Sequence, residues 1–322
     1  MRISVIIPTF NRAHVLSKTL RGYSEQVGEH QICEILVVDD GSEDDTSSVV
    51  QEWSNNKIAH VRYLRQENRG PAAARNHAIR EARGDLLLLG DDDIIPSSKL
   101  VAEHVAWHRE HPEPNFGVLG LVNWAAEMNP TPFMEWSGLY GPQFNFGYFK
   151  AGMELGFQHA YGCNLSLKAS FLARHGVFNE SIRSAGWEDL ELCYRLNSQG
   201  FRLFYSAEAV GYHHKFESFD DARQRIEKLY SAWPAFGRTE AGRQFLKRQC
   251  GNGSVPARWK QSTLRRTLKP LKSTVIPLIR PLMDTRIPLP HWLYNQVFYY
   301  YTTPFSRYVD CPEEAPGSLM SL

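Results

Sequence analysis

The sequence predicts an α/β protein: a mostly parallel central sheet flanked by helices, with a C-terminal extension. Two observations predict it. Segments of strand character alternate with segments of helical periodicity through the N-terminal part of the chain, the pattern of right-handed βαβ units. The strand segments are near-continuously apolar, as strands covered on both faces of a parallel sheet are.

The elements follow in order. ISVIIPTF, residues 3–10, is rich in β-branched residues and closes at a proline and a polar cluster, so it reads as a buried first strand. Behind a candidate Asn11 cap, Val15, Leu16, Leu20 and Tyr23 fall at helical spacing. Ile35 to Val38 form a second buried strand, and Ser42 with Asp45 resembles a capping box that opens a helix. HVRYLRQE gives a third strand and DLLLLG a fourth. Between them GPAAARNHAIREARG is a helix with a proline near its start and Gly84 past its end. Residues 97–109 have helical character, whereas residues 112–160, rich in Pro, Gly and aromatic side chains, follow no clear period. YGCNLSLKASFLARHGVF reads as a strand, a helix and a Gly176 stop. EDLELCYRLNSQGF sets Leu190, Cys193 and Leu196 on one helix face before Gly200. RLFYSAEAVGYHH adds one or two strands. From Arg243 to Arg286 there are 11 Lys/Arg, one acid (Asp284) and the prolines 256, 270, 277 and 281. That change of composition sets a boundary near residue 240, with residues 241–322 as a basic, Pro- and aromatic-rich extension.

Composition narrows the class. At 322 residues the chain holds one large or two medium domains, at about 150 residues each. A net charge of +1 gives no basis for a nucleic-acid partner. The five cysteines, Cys33, Cys163, Cys193, Cys250 and Cys311, form no CxxC pair, which argues against a disulfide framework or a zinc site and suits a reducing cytosol. The opening MRISVIIPTFNR is too short in its apolar run for a secretory signal, and no run of 18 apolar residues occurs. The expectation is a cytoplasmic protein.

The chemistry lies where the strands end. In an open parallel sheet, ligands bind beyond the carboxyl ends of the strands. Pro8, Thr9, Phe10, Asn11 and Arg12 follow the first strand. Asp39, Asp40, Gly41 and Ser42 follow the second, and Asp91, Asp92 and Asp93 the fourth. Turn and cap propensity accounts for DDGS about as well as a ligand does. It accounts less well for three adjacent aspartates, because like charges raise one another's pKa and need an offset. A divalent cation with hard oxygen ligands, Mg²⁺ or Mn²⁺, supplies it, and Mg²⁺ held by few carboxylates is usually shared with substrate phosphates. No GxGxxG and no GxxxxGK[ST] is present, so the phosphate charge falls to the metal. Glu188 and Asp189 open a helix, where carboxylates are favoured by the macrodipole; one of them near a metal-bound phosphate has the chemistry of a general base. His213 and His214 are candidate imidazole ligands, although such a pair is more often packing material.

SVIIPTFNR, ILVVDDGSEDDT, ENRGPAAARNHAI, GDLLLLGDDDIIP and GWEDLELCYRL stand in the order and spacing of the family 2 glycosyltransferases, which this chain resembles over about residues 1–230. The resemblance implies the GT-A fold, with residues 1–110 as a nucleotide-sugar-binding half and 111–240 as an acceptor-binding half. It implies an inverting, metal-dependent transfer from a nucleotide-diphosphate sugar, commonly a UDP-sugar, to an acceptor hydroxyl on a glycan or lipid-linked saccharide. By position, Pro8, Thr9, Phe10 and Arg12 resemble the loop that lines the nucleotide, and Asp40 the aspartate that contacts the base. Asn68, Gly70, Arg75 and Asn76 flank the nucleotide, and Asp91 and Asp92 belong to the same donor site. Asp91 and Asp93 fit the D-x-D pattern that holds ribose and Mn²⁺ or Mg²⁺. Many relatives carry an aspartate where Gly90 stands, so which two of the three aspartates bind metal stays open. Asp189 resembles the catalytic base, with Glu188 beside it, and His213 a third metal ligand, with His214 as the alternative. Trp136, Tyr140 and Phe144 are candidates for the acceptor side, since aromatic platforms suit sugars, although such residues are more often core. The basic, then aromatic tail is compatible with peripheral contact on the cytoplasmic membrane face, although packing on the catalytic domain or self-association accounts for it better, because Pro277, Pro281, Pro288 and Pro290 spoil a long amphipathic helix. Three alternatives stay open: a polyprenyl-phosphate glycosyltransferase, a sugar nucleotidyltransferase, which would release pyrophosphate, and a nucleotide-sugar binding protein without catalysis, against which the intact acidic set including Asp189 speaks.

Overall fold

The apolar runs of the N-terminal part are strands, and covering both of their faces requires helices on both sides. In the computed structural model, which describes residues 1–26, 32–55, 60–250 and 274–302, the first unit comprises Met1–Met128 and Tyr148–Lys215. Its elements run β1 (Ile3–Thr9), α1 (Ala13–Ser24), β2 (Ile32–Asp39), α2 (Thr46–Asn55), β3 (Val61–Arg65), α3 (Pro71–Glu81), β4 (Leu86–Gly90), β5 (Ile94–Pro96) and α4 (Leu100–Glu110). After β6 (Phe116–Trp124) and beyond a segment of the other unit come β7 (Glu154–Leu155), β8 (Asn164–Lys168), α6 (Ala169–His175), α7 (Trp187–Ser198) and β9 (Arg202–His213). Val5, Ile6, Ile7, Leu36, Val37, Leu88 and Leu89 are wholly buried, and on α1 the expected stripe of Val15, Leu16, Leu20 and Tyr23 is the buried face.

Among the described residues the sheet orders its strands β3-β2-β1-β4-β8-β6-β9-β5, with β7 on β9. Strands β1 to β4 pair in parallel, as expected. Beyond β4 the sheet is mixed: β8 is antiparallel to both β4 and β6, β9 is parallel to β6, and β5 is antiparallel to β9. This reversal positions the site. Gly90 at the end of β4 pairs with Asn164 at the start of β8, so the turn before β8 lies beside the aspartates after β4. Ile94 pairs with His213, which brings the end of β9 to the same edge.

Two expected caps are replaced. Asn11 does not cap α1: its Oδ1 accepts from Glu43 N at 2.8 Å, while Ala13 N donates to Asp44 Oδ2 at 3.1 Å. The Ser42–Asp45 box does not form. Ser42 Oγ accepts from Asn11 N at 2.9 Å, and α2 starts at Thr46, whose N donates to Asp44 Oδ1 at 3.0 Å. In both cases the polar side chains tie the loop after β1 to the loop after β2, a long-range bond that local cap rules do not foresee.

The second unit takes Asn129–Gly147 and the chain from Phe216, so the boundary expected near residue 240 falls inside it. It holds α5 (Pro132–Leu139), α8 (Phe219–Ser231), α9 (Trp233–Gly237), α10 (Glu240–Cys250), α11 (residues 274–279) and α12 (His291–Thr302). Its core is aromatic: Trp136 stacks on Tyr294 at 5.5 Å between ring centroids, and Phe133, Phe219 and Phe298 surround them. Trp136 and Phe144 are therefore buried packing residues of this unit rather than exposed platforms for a sugar. Tyr140 is half-buried against His291.

A polar cluster inside the first unit joins α4 to the sheet. Asn164 Nδ2 donates to the carbonyls of Leu121 and Ala209, which aims Asn164 Oδ1 at His104 Nε2, 2.9 Å away. Ser166 Oγ lies 2.8 Å from His104 Nδ1 and 2.9 Å from His108 Nε2. Burial holds both imidazoles neutral, with pKa values down to about 4 for His104 and about 3 for His108. The unfolded chain binds protons at an ordinary imidazole pKa of about 6.5. Stability is thus complete above that pH and declines as the pH falls toward 4. We expect the urea midpoint to drop over this range, and His108→Gln, which keeps a similar volume without a titrating group, to flatten the drop. Equal pH slopes for wild type and variant would refute the neutral histidine cluster.

Candidate active site

The three loops expected to converge do so, and a fourth joins them. Arg75, on the first turns of α3, is buried at 4% exposure. Its Nη2 donates to Asp91 Oδ1 at 2.9 Å and its Nη1 to Glu188 Oε1 at 2.9 Å, with Asp189 Oδ1 3.5 Å from the same nitrogen. Burial by itself would lower the pKa of Arg75; Asp189, Asp91 and Glu188 reverse that and raise it. One guanidinium therefore joins the aspartates after β4 to the carboxylate pair that opens α7.

The pair is set by local geometry. Gly186, at φ 105°, precedes α7, and Glu188 and Asp189 lie in the first turn, where the helix dipole favours negative charge. Gly162 N, in the turn before β8, donates to Asp189 Oδ2 at 2.9 Å. A Cβ at Gly162 would stand 2.5 Å from Asp189 Oδ1, so only glycine lets the carboxylate seat there. Asp189 Oδ1 itself is buried and accepts no hydrogen bond. Burial and the adjacent Asp189 hold Glu188 well above the ordinary carboxylate range, despite Arg75.

The aspartates after β4 point three ways. Asp91, with 37% side-chain exposure, faces Arg75 and is the one open to solvent. Asp92 turns inward: its Oδ2 accepts from Thr9 Oγ1 at 2.7 Å and its backbone carbonyl from Thr19 Oγ1 at 2.8 Å. Asp93 Oδ2 accepts from Arg12 Nη2 at 2.6 Å and lies 3.4 Å from His213 Nε2. Burial and then Asp93 raise the pKa of Asp92. Asp93 goes the other way, since the His213 bond and the charges of His213 and Arg12 outweigh its burial. His213 stacks on Trp124 with centroids 5.0 Å apart and planes 7° apart, and its buried Nδ1 has no hydrogen-bond partner. His214, by contrast, turns to Glu127 and Lys18, both 2.9 Å from its Nε2.

The remaining residues divide into liners and supports. Phe10 is 46% exposed, Asn68 is exposed and Pro8 is half-buried. Asp40 braces the loop after β3: it accepts from Gln66 Nε2, Arg69 N and Gly70 N at 2.8, 2.9 and 2.8 Å. Gly70 has φ 88°, and a Cβ there would meet Arg183 O at 2.5 Å. Asn76 is buried and clamps Phe178, donating to its carbonyl and accepting from its N–H at 2.9 Å each; its second amide hydrogen goes to Glu180. Both of its donors are thereby used within the protein. Gly162 was not singled out in the sequence, where YGCN reads as the start of a strand; a glycine beside a strand end is, even so, the usual mark of a close approach.

Five carboxylates thus share the site with Arg12 and Arg75. The donor set of Asp91, Asp93 and His213, hard oxygens with one imidazole, fits Mn²⁺ or Mg²⁺ chemically, and His213 turns its Nε2 toward Asp93 Oδ2. Among the described residues no three such side chains already stand as a metal group.

Comparison with known proteins agrees with this architecture. Residues 4–138 match the model described as Glycosyl transferase family 2. Validoxylamine A glucosyltransferase of Streptomyces hygroscopicus subsp. jinggangensis (strain 5008) is 30% identical over 232 residues, which is 65% of this chain and 54% of that protein. The chain therefore spans about half the length of that relative. Mannosyltransferase PcManGT from Pyrobaculum calidifontis, solved in complex with GDP-Man and Mn²⁺, aligns with a TM-score of 0.59 at 19% identity, over 94% of this chain and 86% of that one. S. aureus TarS 1–349 in complex with UDP-GlcNAc aligns with a TM-score of 0.54 at 18% identity, over 96% and 91%. At these identities the likeness is one of fold.

Arg75→Met leaves buried carboxylates without their counter-ion. We expect it to cost about 3–5 kcal/mol at pH 7 and less at pH 5, where Asp91, raised by burial and no longer lowered by Arg75, takes up a proton. Urea unfolding at the two pH values measures this, and an equal or larger loss at pH 5 would contradict it.

Proposed function

The chain belongs to glycosyltransferase family 2 and has the GT-A fold, and from that premise we propose that it is an inverting enzyme that transfers a sugar from a nucleotide-diphosphate sugar, a UDP-sugar, to an acceptor hydroxyl on a glycan or lipid-linked saccharide. The observation that carries the reading is the state of Asp189. One carboxylate oxygen is held by Gly162 N–H, and the other is set beside Arg75 with no hydrogen bond to accept. A carboxylate fixed in this way has a lone pair that no protein group uses, which is one requirement of a general base.

The acceptor hydroxyl gives its proton to Asp189 Oδ1. Its oxygen forms the new bond to the anomeric carbon from the face opposite the diphosphate, and the carbon–oxygen bond to the diphosphate breaks with inversion. Arg75 lies beside the Oδ1 of Asp189 that receives the proton, and Glu188 holds Arg75 in place. Pro8, Thr9, Phe10, Arg12, Asp40, Asn68 and Gly70 form the nucleotide side, together with Asp91 and Asp92; Asn76 supports it from behind. Asp91, Asp93 and His213 would hold the cation, Mn²⁺ or Mg²⁺, which supplies charge neutralisation for the departing diphosphate. The inward turn of Asp92 favours Asp91 and Asp93 as the metal pair. A solved relative of this fold that carries GDP-Man with Mn²⁺ supports the donor class.

Asp189→Asn keeps the size and the Gly162 bond but removes the base. We expect turnover to fall by about a thousandfold or more, while UDP affinity by calorimetry stays within about twofold. Turnover near the wild-type level would remove Asp189 from the role.

We further propose peripheral membrane contact through the extension. Leu278, Ile287 and Trp292 are 74%, 57% and 65% exposed, in a stretch of sequence bordered by the 11 Lys/Arg of residues 243–286. Among the described residues no helix is long and apolar enough to cross a membrane. The protein is expected to float with phosphatidylglycerol vesicles, and Leu278→Ser/Trp292→Ser to float less. Sedimentation of the wild-type protein away from such vesicles would exclude the contact.

A further inference from the structure

We propose that Arg12 is a displaceable counter-ion of the donor site: its guanidinium occupies on Asp93 the position that the divalent cation takes, and the two exchange there as the nucleotide binds. The inference rests on the metal reading above and goes beyond it, because it assigns to Arg12 the coupling between metal and nucleotide.

The geometry points to competition. Arg12 Nη2 holds Asp93 Oδ2 at 2.6 Å, the same oxygen that His213 Nε2 approaches at 3.4 Å, and Arg12 Nε lies 3.5 Å from Asp92 Oδ1. A charge-assisted bond this short uses the oxygen's best lone pair. A second cation on that oxygen would meet the guanidinium at close range, where like charges repel strongly.

The partners differ in freedom to move. Asp93 and His213 have side-chain exposures of 7% and 9%, while Arg12 has 37%. The backbone around Arg12 is pinned from the loop after β2. Asn11 N donates to Ser42 Oγ, Arg12 N to Thr46 Oγ1 at 3.3 Å, and Ala13 N to Asp44 Oδ2, while Asn11 sits at φ 54°. A long side chain on a fixed backbone, with one side open to water, can swing without disturbing β1. A diphosphate gives the released guanidinium a new anionic partner with matching fork geometry. Metal alone must break the Arg12–Asp93 bond without that return, whereas metal with nucleotide need not. Each ligand then raises the other's affinity by the same factor.

Electron paramagnetic resonance of free Mn²⁺ tests this directly, with and without UDP, on wild type, Arg12→Met, Arg12→Lys and Asp93→Asn. For Arg12→Met we expect Mn²⁺ affinity without UDP to rise by about tenfold and the enhancement by UDP to shrink. Arg12→Lys, which keeps the charge, should remain closer to wild type. Equal Mn²⁺ affinity of wild type and Arg12→Met without UDP, alongside loss of binding in Asp93→Asn, overturns the counter-ion role and leaves the metal site standing. Absence of Mn²⁺ binding to the wild type even with UDP overturns both.

Discussion

A single buried guanidinium, that of Arg75, is the interaction on which the rest of the site depends. Three carboxylates from two distant parts of the chain, Asp91, Glu188 and Asp189, surround it. Without it, the start of α7 and the loop after β4 would bring buried like charges together, at a cost that packing does not offset. With it, the donor-side aspartates and the carboxylate proposed as the base are held in one ionic frame. The frame is incomplete in its charges: Arg75 and Arg12 face five carboxylates, and burial together with a neighbouring carboxylate raises the pKa values of Asp92 and Glu188. A cation and a phosphate-bearing ligand complete such a balance, which links the scaffold's electrostatics to the proposed chemistry.

The sheet supplies the placement. A purely parallel sheet would have left the turn before β8 at the edge away from the aspartates. The antiparallel pairing of β8 with β4 sets Gly90 opposite Asn164, and so brings Gly162 to the loop after β4 and its N–H to Asp189. The short β5, paired with the end of β9, does the same for His213 and Asp93. Strand direction, set by the sheet as a whole, thus decides which side chains meet.

Much of this was legible from the residues. The parallel strands, the stripe on α1 and the carboxylates at the start of α7 follow from periodicity and burial, which act over a few neighbouring positions. The resemblance of five motifs to family 2 glycosyltransferases pointed to the same loops. The misreadings have a common cause. Asn11 and Ser42 look like helix caps because cap rules are local, yet their side chains bond across two loops. Trp136 and Phe144 look like sugar platforms because an aromatic residue carries no mark of which surface it meets, and here both are buried.

The sequence by itself determined the α/β class, the parallel half of the sheet and the residue types available at each strand end, because these depend on hydrophobic period and side-chain chemistry. Only the tertiary structure decided how those residues share their charges. It turned Asp92 toward Thr9, Asp91 toward Arg75 and Asp93 toward Arg12 and His213, and it left one oxygen of Asp189 without a hydrogen bond. Three adjacent aspartates are nearly equivalent as letters. They become different groups once the backbone after β4 aims each carboxylate at a separate partner, and that aim depends on contacts with residues far away in the chain.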